Sequence, residues 1–580
     1  MFDKKSTSRS LATNLRITFA NPPAILFSLA LTVALIVGRS FFVSNDFSYA
    51  FGTGMALRRT IAAAIIYFVV TMIVSSVLMR LLSSDRIRLK DADGPPRAAV
   101  SRLFFGEGLR SQWILWAVIF VCWIPCLLAY WPGVFSYDMP NVLPEGDTQP
   151  YSDFQPLIYT FFVKAVYALA SAGGNQTGAL LLSVVQMLLM SLIFAGIVRR
   201  LNRMRVHPAL RLISLLWFAL YPSNAIFAIV EAKDTLFAGF FALVTLSLIE
   251  LAREPGRFFA DRRKLVLFGV QLLLLCLLRN NAAYLLILLI LITVLFQRKV
   301  WKGYFRKLLA PLCGAVIVFF IFAQALSPAL GVKSGPTKEM LSVPAQQIAY
   351  TYIRHAAEFT PEERSIITNT MLVDILADFN PRLADPIKNY TRDWPVDPYS
   401  KGFMKVWARI GLRYPAEYTK AFLALNLQSW FPGSEFPDRY SQRDYIETFI
   451  YPDFHITRTT KAPALMDFYE GIATRAGWQH VPVLSLLFDT GAPLWFALFG
   501  IALSVYRKHR RDLLVFLLPV CLWATIMFGP VTNGRYLYPL FVCFPLWLIV
   551  LLAARKPLSR PAGEANNSNQ PFETSWGNAD

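Results

Sequence analysis

Charge is scarce in this chain. Of its 580 residues only 16% are Asp, Glu, Lys or Arg, and 55% are hydrophobic, whereas soluble domains average about 25% charged. Acid is scarcer than base, 37 against 57, which leaves a formal net charge of +20. In place of polar stretches, apolar runs of roughly 18 residues recur, the length that crosses a bilayer as a helix. These shortages exclude an ordinary soluble protein. The excess of base reads first as membrane topology, because short cytoplasmic loops collect Lys and Arg, and no nucleic-acid partner is expected. Cysteine supplies no framework either: Cys122, Cys126, Cys276, Cys313, Cys521 and Cys543 all lie in apolar runs, without disulfide or metal spacing. His207, His355, His455, His480 and His509 are scattered, so no metal site and no cofactor is expected. There is no P-loop, dinucleotide fingerprint or kinase signature. A DxD pattern at Asp91–Asp93 sits in the turn-rich linker "RLKDADGPPR", with no strand before it, and is assigned to the linker.

What is present is twelve apolar runs, at about 22–43, 60–82, 112–130, 176–198, 209–229, 235–252, 265–278, 282–296, 308–326, 487–506, 512–529 and 537–554. The first is too long for a signal-peptide core and reads as a retained anchor. With twelve crossings the basic segments 199–205, 253–264, 297–307 and 507–511 share one face, which the positive-inside rule makes cytoplasmic, with both termini. The expected fold is therefore an all-α polytopic membrane protein. A region 1–326 holds about nine helices, 327–486 forms a mainly helical extracytoplasmic domain, and 487–555 supplies the last helices. The tail 556–580, rich in Asn, Ser, Pro and Gly, is expected to be disordered. Within the inserted domain, Thr360, Pro361 and Glu363 spell a capping box, and 414–430 has helical period.

The outer face poses the functional question. The loop 131–156, "WPGVFSYDMPNVLPEGDTQPYSDFQP", carries Asp138, Glu145, Asp147 and Asp153 and no Lys or Arg, and is kinked by Pro132, Pro140, Pro144 and Pro150. Three short outer connections carry Glu231, Lys233 and Asp234; Arg279, Asn280 and Asn281; and Asn533 and Arg535. The topology bias disfavours cations there, yet single ones recur beside apolar helices, where ionisable groups are functional hypotheses. The plain alternatives are a Lys233–Asp234 pair, Arg279 and Arg535 snorkelling to lipid phosphates, and Asp153 capping a helix that starts near Pro156. Convergent cations suit a phosphate leaving group, which Arg holds with a bidentate fork and Lys with a point charge. A nearby carboxylate can take the proton of an attacking hydroxyl.

In order along the chain these elements resemble membrane glycosyltransferases of the GT-C type. "WPGVFSYDMP" followed by "YSDFQPLIYTFFVKAVYAL" is similar to their first outer loop, with "QPLIYT" at 155–160 standing where they carry "HPPLYY", and with Gln155 in place of the His. "GRYLYP" at 534–539 is similar to their late Arg-Tyr element; "EAKDTLF", "LLRNNAAY" and "SVPAQQIAY" are similar to elements of a bacterial group with this architecture. The resemblance implies transfer of a sugar, with inversion, from a polyprenyl-phosphate carrier to an envelope glycan, lipid or protein acceptor, in a bacterial plasma membrane. It implies Asp138 as general base, Asp153 as a second acid, and Arg535 with Tyr536 at the carrier phosphate. Lys233, Asp234, Arg279, Asn280, Gln155 and Tyr137 are further expected substrate contacts. A transporter or flippase of lipid-linked saccharides is the alternative, disfavoured because no Asp, Glu, Lys or Arg falls near the centre of any run.

Overall fold

The computed structural model describes residues 21–85, 87–91, 104–106, 108–143, 151–393, 397–433, 435–436 and 443–553. The expected N-terminal arm, most of the DxD linker, Glu145, Asp147 and the expected disordered tail lie outside the described residues.

Among the described residues the chain is helical, with isolated β-bridges and no sheet. Every apolar run is helical, 209–229 and 537–554 each as two helices. The first are α1 (Pro22–Ser44), α2 (Gly54–Ser83) and α3 (Leu109–Ala129). A short helix α4 (Leu157–Leu169) and a long α5 (Gly174–Arg203) follow, then α6 (Pro208–Leu220), α7 (Pro222–Ile229) and α8 (Lys233–Arg253). Next come α9 (Arg262–Leu278), α10 (Asn281–Ile292) and α11 (Phe305–Ile321). Among the described residues, seven helices are long and apolar enough to cross a membrane, or eight if the bent pair α6–α7 counts as one crossing. The protein is therefore a multi-pass membrane protein.

The 48° bend between α6 and α7 has a definite cause. Pro222 has no N–H to give to the preceding turn. The carbonyl this frees, Phe218 O, finds other donors: Trp123 Nε1 at 3.2 Å and Asn224 Nδ2 at 3.5 Å. A break inside an apolar layer survives only with such replacements. The first two helices form a peripheral pair, joined by a Ser28–Ser75 hydroxyl contact of 3.0 Å. The opposite face of α2, including Ile65, Ile66, Val70 and Val74, is exposed, as a lipid-facing surface requires.

The insertion after α11 has two parts. One contains α12 (Ser342–His355), α13 (Pro361–Thr370), α14 (Phe403–Arg413) and α15 (Pro415–Leu425). It has its own small core of Leu341, Ile348, Ile367, Phe403, Val406 and Ile410. The expected capping box opens α13: Thr360 Oγ1 accepts from Glu363 N, and Glu363 accepts from Thr360 N. The second part carries α16 (Pro463–Ala473), and its Tyr445, Ile446, Tyr469 and Trp478 join the core of the helical bundle itself. Arg382 clamps the first part to the bundle, donating to the carbonyls of Phe41 and Phe42 at 3.0 and 2.9 Å and so capping the end of α1. The chain closes with α17 (Ala492–Tyr506), α18 (Leu513–Ile526), α19 (Gly534–Val542) and α20 (Phe544–Leu552).

The charges sort to opposite ends. With 21 residues, α8 is about 30 Å long; Lys233 begins it and Arg253 ends it. Around its Arg253 end lie the ion pairs Arg200–Glu250 and Arg253–Asp91, and Arg507, which donates to Leu551 O at 2.7 Å. Around its Lys233 end lies the site described next.

Candidate functional site

Backbone contacts first bring the loop after α3 to the start of α8. Val134 and Val230 form a parallel bridge, with Glu231 N donating to Val134 O at 3.0 Å. The segment after residue 443 runs along the loop on its other side: Tyr451 N donates to Phe135 O at 3.1 Å and Glu447 N to Tyr137 Oη at 2.9 Å. Tyr137 is held at φ +57°. A left-handed tyrosine costs of order 1–3 kcal/mol and persists only where its surroundings fix it. Here that conformation delivers Asp138 toward α8 and α19.

Asp138 Oδ2 is shared by two cations. Lys233 Nζ lies 2.7 Å away and Arg535 Nη1 2.9 Å away. Lys233 Nζ also donates to Gln155 Oε1 at 2.6 Å. A second layer lies beneath: Asp234 is fully buried, 2.9 Å from Arg279 Nη1 and 3.7 Å from Arg535 Nη1. Tyrosine faces complete the shell. Arg535 stands over Tyr137 at 4.3 Å and Tyr536 at 4.9 Å, and Arg279 stands over Tyr536 at 4.5 Å; such desolvated cation–π contacts are worth about 2 kcal/mol.

Local sequence explains the placement. Asn533 caps α19 by accepting from Arg535 N at 3.2 Å. The Gly534 position admits no side chain, because a Cβ there would stand 2.2 Å from Tyr445 O. That close approach brings the 443–448 segment against the Arg535 turn. Asp234, in the first turn of α8, has the charge that a helix N-terminus favours. Burial pushes the Asp138 carboxyl up, but Arg535 and Lys233 outweigh it and hold the group well below the usual carboxylate range.

Asp138, Gln155, Lys233 and Arg535 line one small cavity of about 10 Å³, room for about one water, together with Met139, Val142, Tyr159, Glu231 and Ala232. Among the described residues, no three His, Cys, Asp or Glu side chains gather as a ligand set for a metal ion.

Several expected placements need correction. Asp153 does not join Asp138. It is exposed, and its carboxylate accepts from Gly335 N at 2.5 Å, which ties the loop to the segment after α11. Nor does it cap α4, which begins at Leu157 with Pro156 at its N-cap and no side-chain cap. Asn280 stands with Asp153, 3.4 Å from its carbonyl, outside the cation group. Lys233 pairs with Asp138, not with its neighbour Asp234, and neither Arg279 nor Arg535 reaches outward as a snorkelling cation would; both are buried. One residue was passed over: Glu231, noted among the outer charges and given no role, is fully buried and lines the cavity. Its signal was an acid two residues from Lys233 in an otherwise apolar link.

The fold and site define a multi-pass helical membrane protein with a buried ionic site at one end of its bundle. The chain belongs to DUF6020, a family of unknown function, whose model matches residues 141–565. That match takes in Glu231, Lys233, Asp234, Arg279 and Arg535 and begins just after Asp138. No curated protein and no solved structure matches the chain.

Proposed function

We propose that this protein is a membrane glycosyltransferase of GT-C-like architecture, with about twelve crossings, that transfers a sugar from a polyprenyl-phosphate carrier to an envelope acceptor. The observation that carries the reading is the meeting of Lys233 and Arg535 on a single oxygen of Asp138, at a cavity wall and at the end of the bundle away from the basic loops. One carboxylate beside two cations is the minimum set for a single displacement at a sugar phosphate. The acceptor hydroxyl gives its proton to Asp138. Its oxygen bonds to the anomeric carbon as the bond from that carbon to the phosphate oxygen breaks. The polyprenyl phosphate leaves with the electron pair, stabilised by Arg535 and Lys233. Attack opposite the leaving group inverts the configuration.

In the resting state the base is engaged with the same cations the phosphate needs. Donor phosphate takes over Lys233 and Arg535, and Asp138 is thereby released to accept a proton. Binding of polyprenyl phosphate to the purified protein in nanodiscs tests the reading. Arg535→Ala or Lys233→Ala is expected to weaken binding roughly tenfold or more, at about 1.5–3 kcal/mol per charge-assisted contact. Wild-type affinity in both variants contradicts the phosphate site.

A transporter or flippase of lipid-linked saccharides is the second reading. It draws on the 48° bend of α6–α7 with the buried Glu231 just beyond it, since broken helices and buried acids mark transport sites. Transbilayer movement of a polyprenyl-phosphate hexose in liposomes without sugar transfer would favour it.

A further inference from the structure

The cavity has a second polar wall that the phosphate site leaves unused. Glu231 is fully buried. Its Oε2 accepts from Tyr167 Oη at 3.0 Å, while its Oε1 has no hydrogen-bond partner among the described residues. Tyr159 Oη, on a side chain only 1% exposed, has none either. Both residues line the same cavity as Asp138, Lys233 and Arg535. Burying such groups without partners is costly, and a ligand that pairs with both removes that cost. An alcohol hydroxyl can pair with both, donating to the carboxyl and accepting from the phenol. Lys233 is two residues from Glu231, so a hydroxyl bound here lies close to any phosphate held by Lys233 and Arg535.

We propose that Glu231 and Tyr159 form a hydroxyl-recognition subsite for the sugar esterified to the carrier phosphate, and so determine donor specificity. Resting on the transferase reading, this assigns specificity to the wall facing the phosphate cations. Asp138 handles the proton; Glu231 and Tyr159 read the sugar. A site that hydrogen-bonds a substrate hydroxyl discriminates strongly against a ligand lacking it, because its own buried groups are then left unpaired.

The test uses the full-length protein in nanodiscs. The probes are plain polyprenyl phosphate and polyprenyl-phosphate hexoses of gluco, galacto and manno configuration. Wild type is expected to bind at least one hexose-bearing carrier tenfold or more tighter than the plain carrier. Tyr159→Phe and Glu231→Gln keep the shape and are expected to abolish that preference, while plain-carrier affinity, which also reports folding, stays unchanged. A preference that survives in both variants overturns the subsite, as does a wild type that binds plain carrier and prefers no hexose. A wild type that binds no polyprenyl phosphate at all overturns the transferase reading itself, and the subsite with it.

Discussion

Asp138 and Arg535 lie 397 residues apart in sequence and 2.9 Å apart in space. The contact closes the bundle on itself: the loop after α3 meets the first turn of α19, and Lys233 of α8 completes the group on the same carboxylate oxygen. A carboxylate that occupies two cations competes with any phosphate that comes to them. Asp138→Asn is therefore expected to bind polyprenyl phosphate more tightly than wild type, by roughly tenfold for about 1.4 kcal/mol of lost competition, while sugar transfer falls. Calorimetric titration of both proteins checks this. Unchanged or weaker binding in the variant would show that Asp138 does not hold the phosphate's place.

The lower layer of the site is expected to matter more for stability than for binding. Asp234 is fully buried and relies on Arg279 at 2.9 Å, with Arg535 farther off. Removing one partner of a buried pair strands the other charge. Arg279→Ala is expected to cost about 3–5 kcal/mol, seen as earlier thermal unfolding. Arg279→Met combined with Asp234→Leu removes both charges and is expected to recover most of the loss. Two independent, additive losses would mean that the residues do not act as a pair.

The pH dependence follows from the direction of the Asp138 shift. Its carboxyl is held below the ordinary value by Arg535 and Lys233, so the unfolded chain binds the proton more readily than the folded one. The pairing thus contributes stability above the ordinary Asp value of about 3.9 and loses it as pH falls through the lower, folded value. The stability difference between wild type and Asp138→Asn is expected to stay flat from about pH 8 to 5 and to shrink only below about pH 4. A difference that fades between pH 8 and 5 would contradict the pairing.

Topology is open to labelling. Single cysteines in the 327–486 insertion are expected to react with an impermeant reagent in intact cells, and cysteines at Arg199, Lys264, Arg298 or Arg507 are not. The site end of α8 shares a side with the insertion, since Arg443 joins Glu447 at 2.7 Å and Asp385 at 3.1 Å beside it. Labelling at Arg507 from outside would invert the orientation.

The helices were legible because apolar length needs no tertiary knowledge: each of the twelve runs is helical, including the short ones at α9 and α10, though 209–229 and 537–554 each break into two helices. The cations of the site were legible for a related reason, since Lys233, Arg279 and Arg535 stand out at the ends of apolar runs. Partner choice was not. Lys233 and Asp234 are adjacent on α8, yet successive helical side chains point about 100° apart, so one faces the cavity and the other the bundle. Asp153 has the same residue type and loop as Asp138; ties from Ser152 and Asp153 to Lys333 and Gly335 hold it elsewhere. Glu231 is not legible in the sequence because its importance lies in burial, and burial of a loop acid depends on the pairing of the segments at 134 and 230.

The most direct measurement is transfer itself. Purified protein in liposomes is given a labelled polyprenyl-phosphate hexose panel and a bacterial envelope lipid and glycan extract. Wild type is expected to move label from the carrier to an acceptor. Asp138→Asn, which keeps shape but cannot take the proton, is expected to be slower by about 10²–10⁴ while still binding the carrier. Transfer by Asp138→Asn at the wild-type rate would contradict the account.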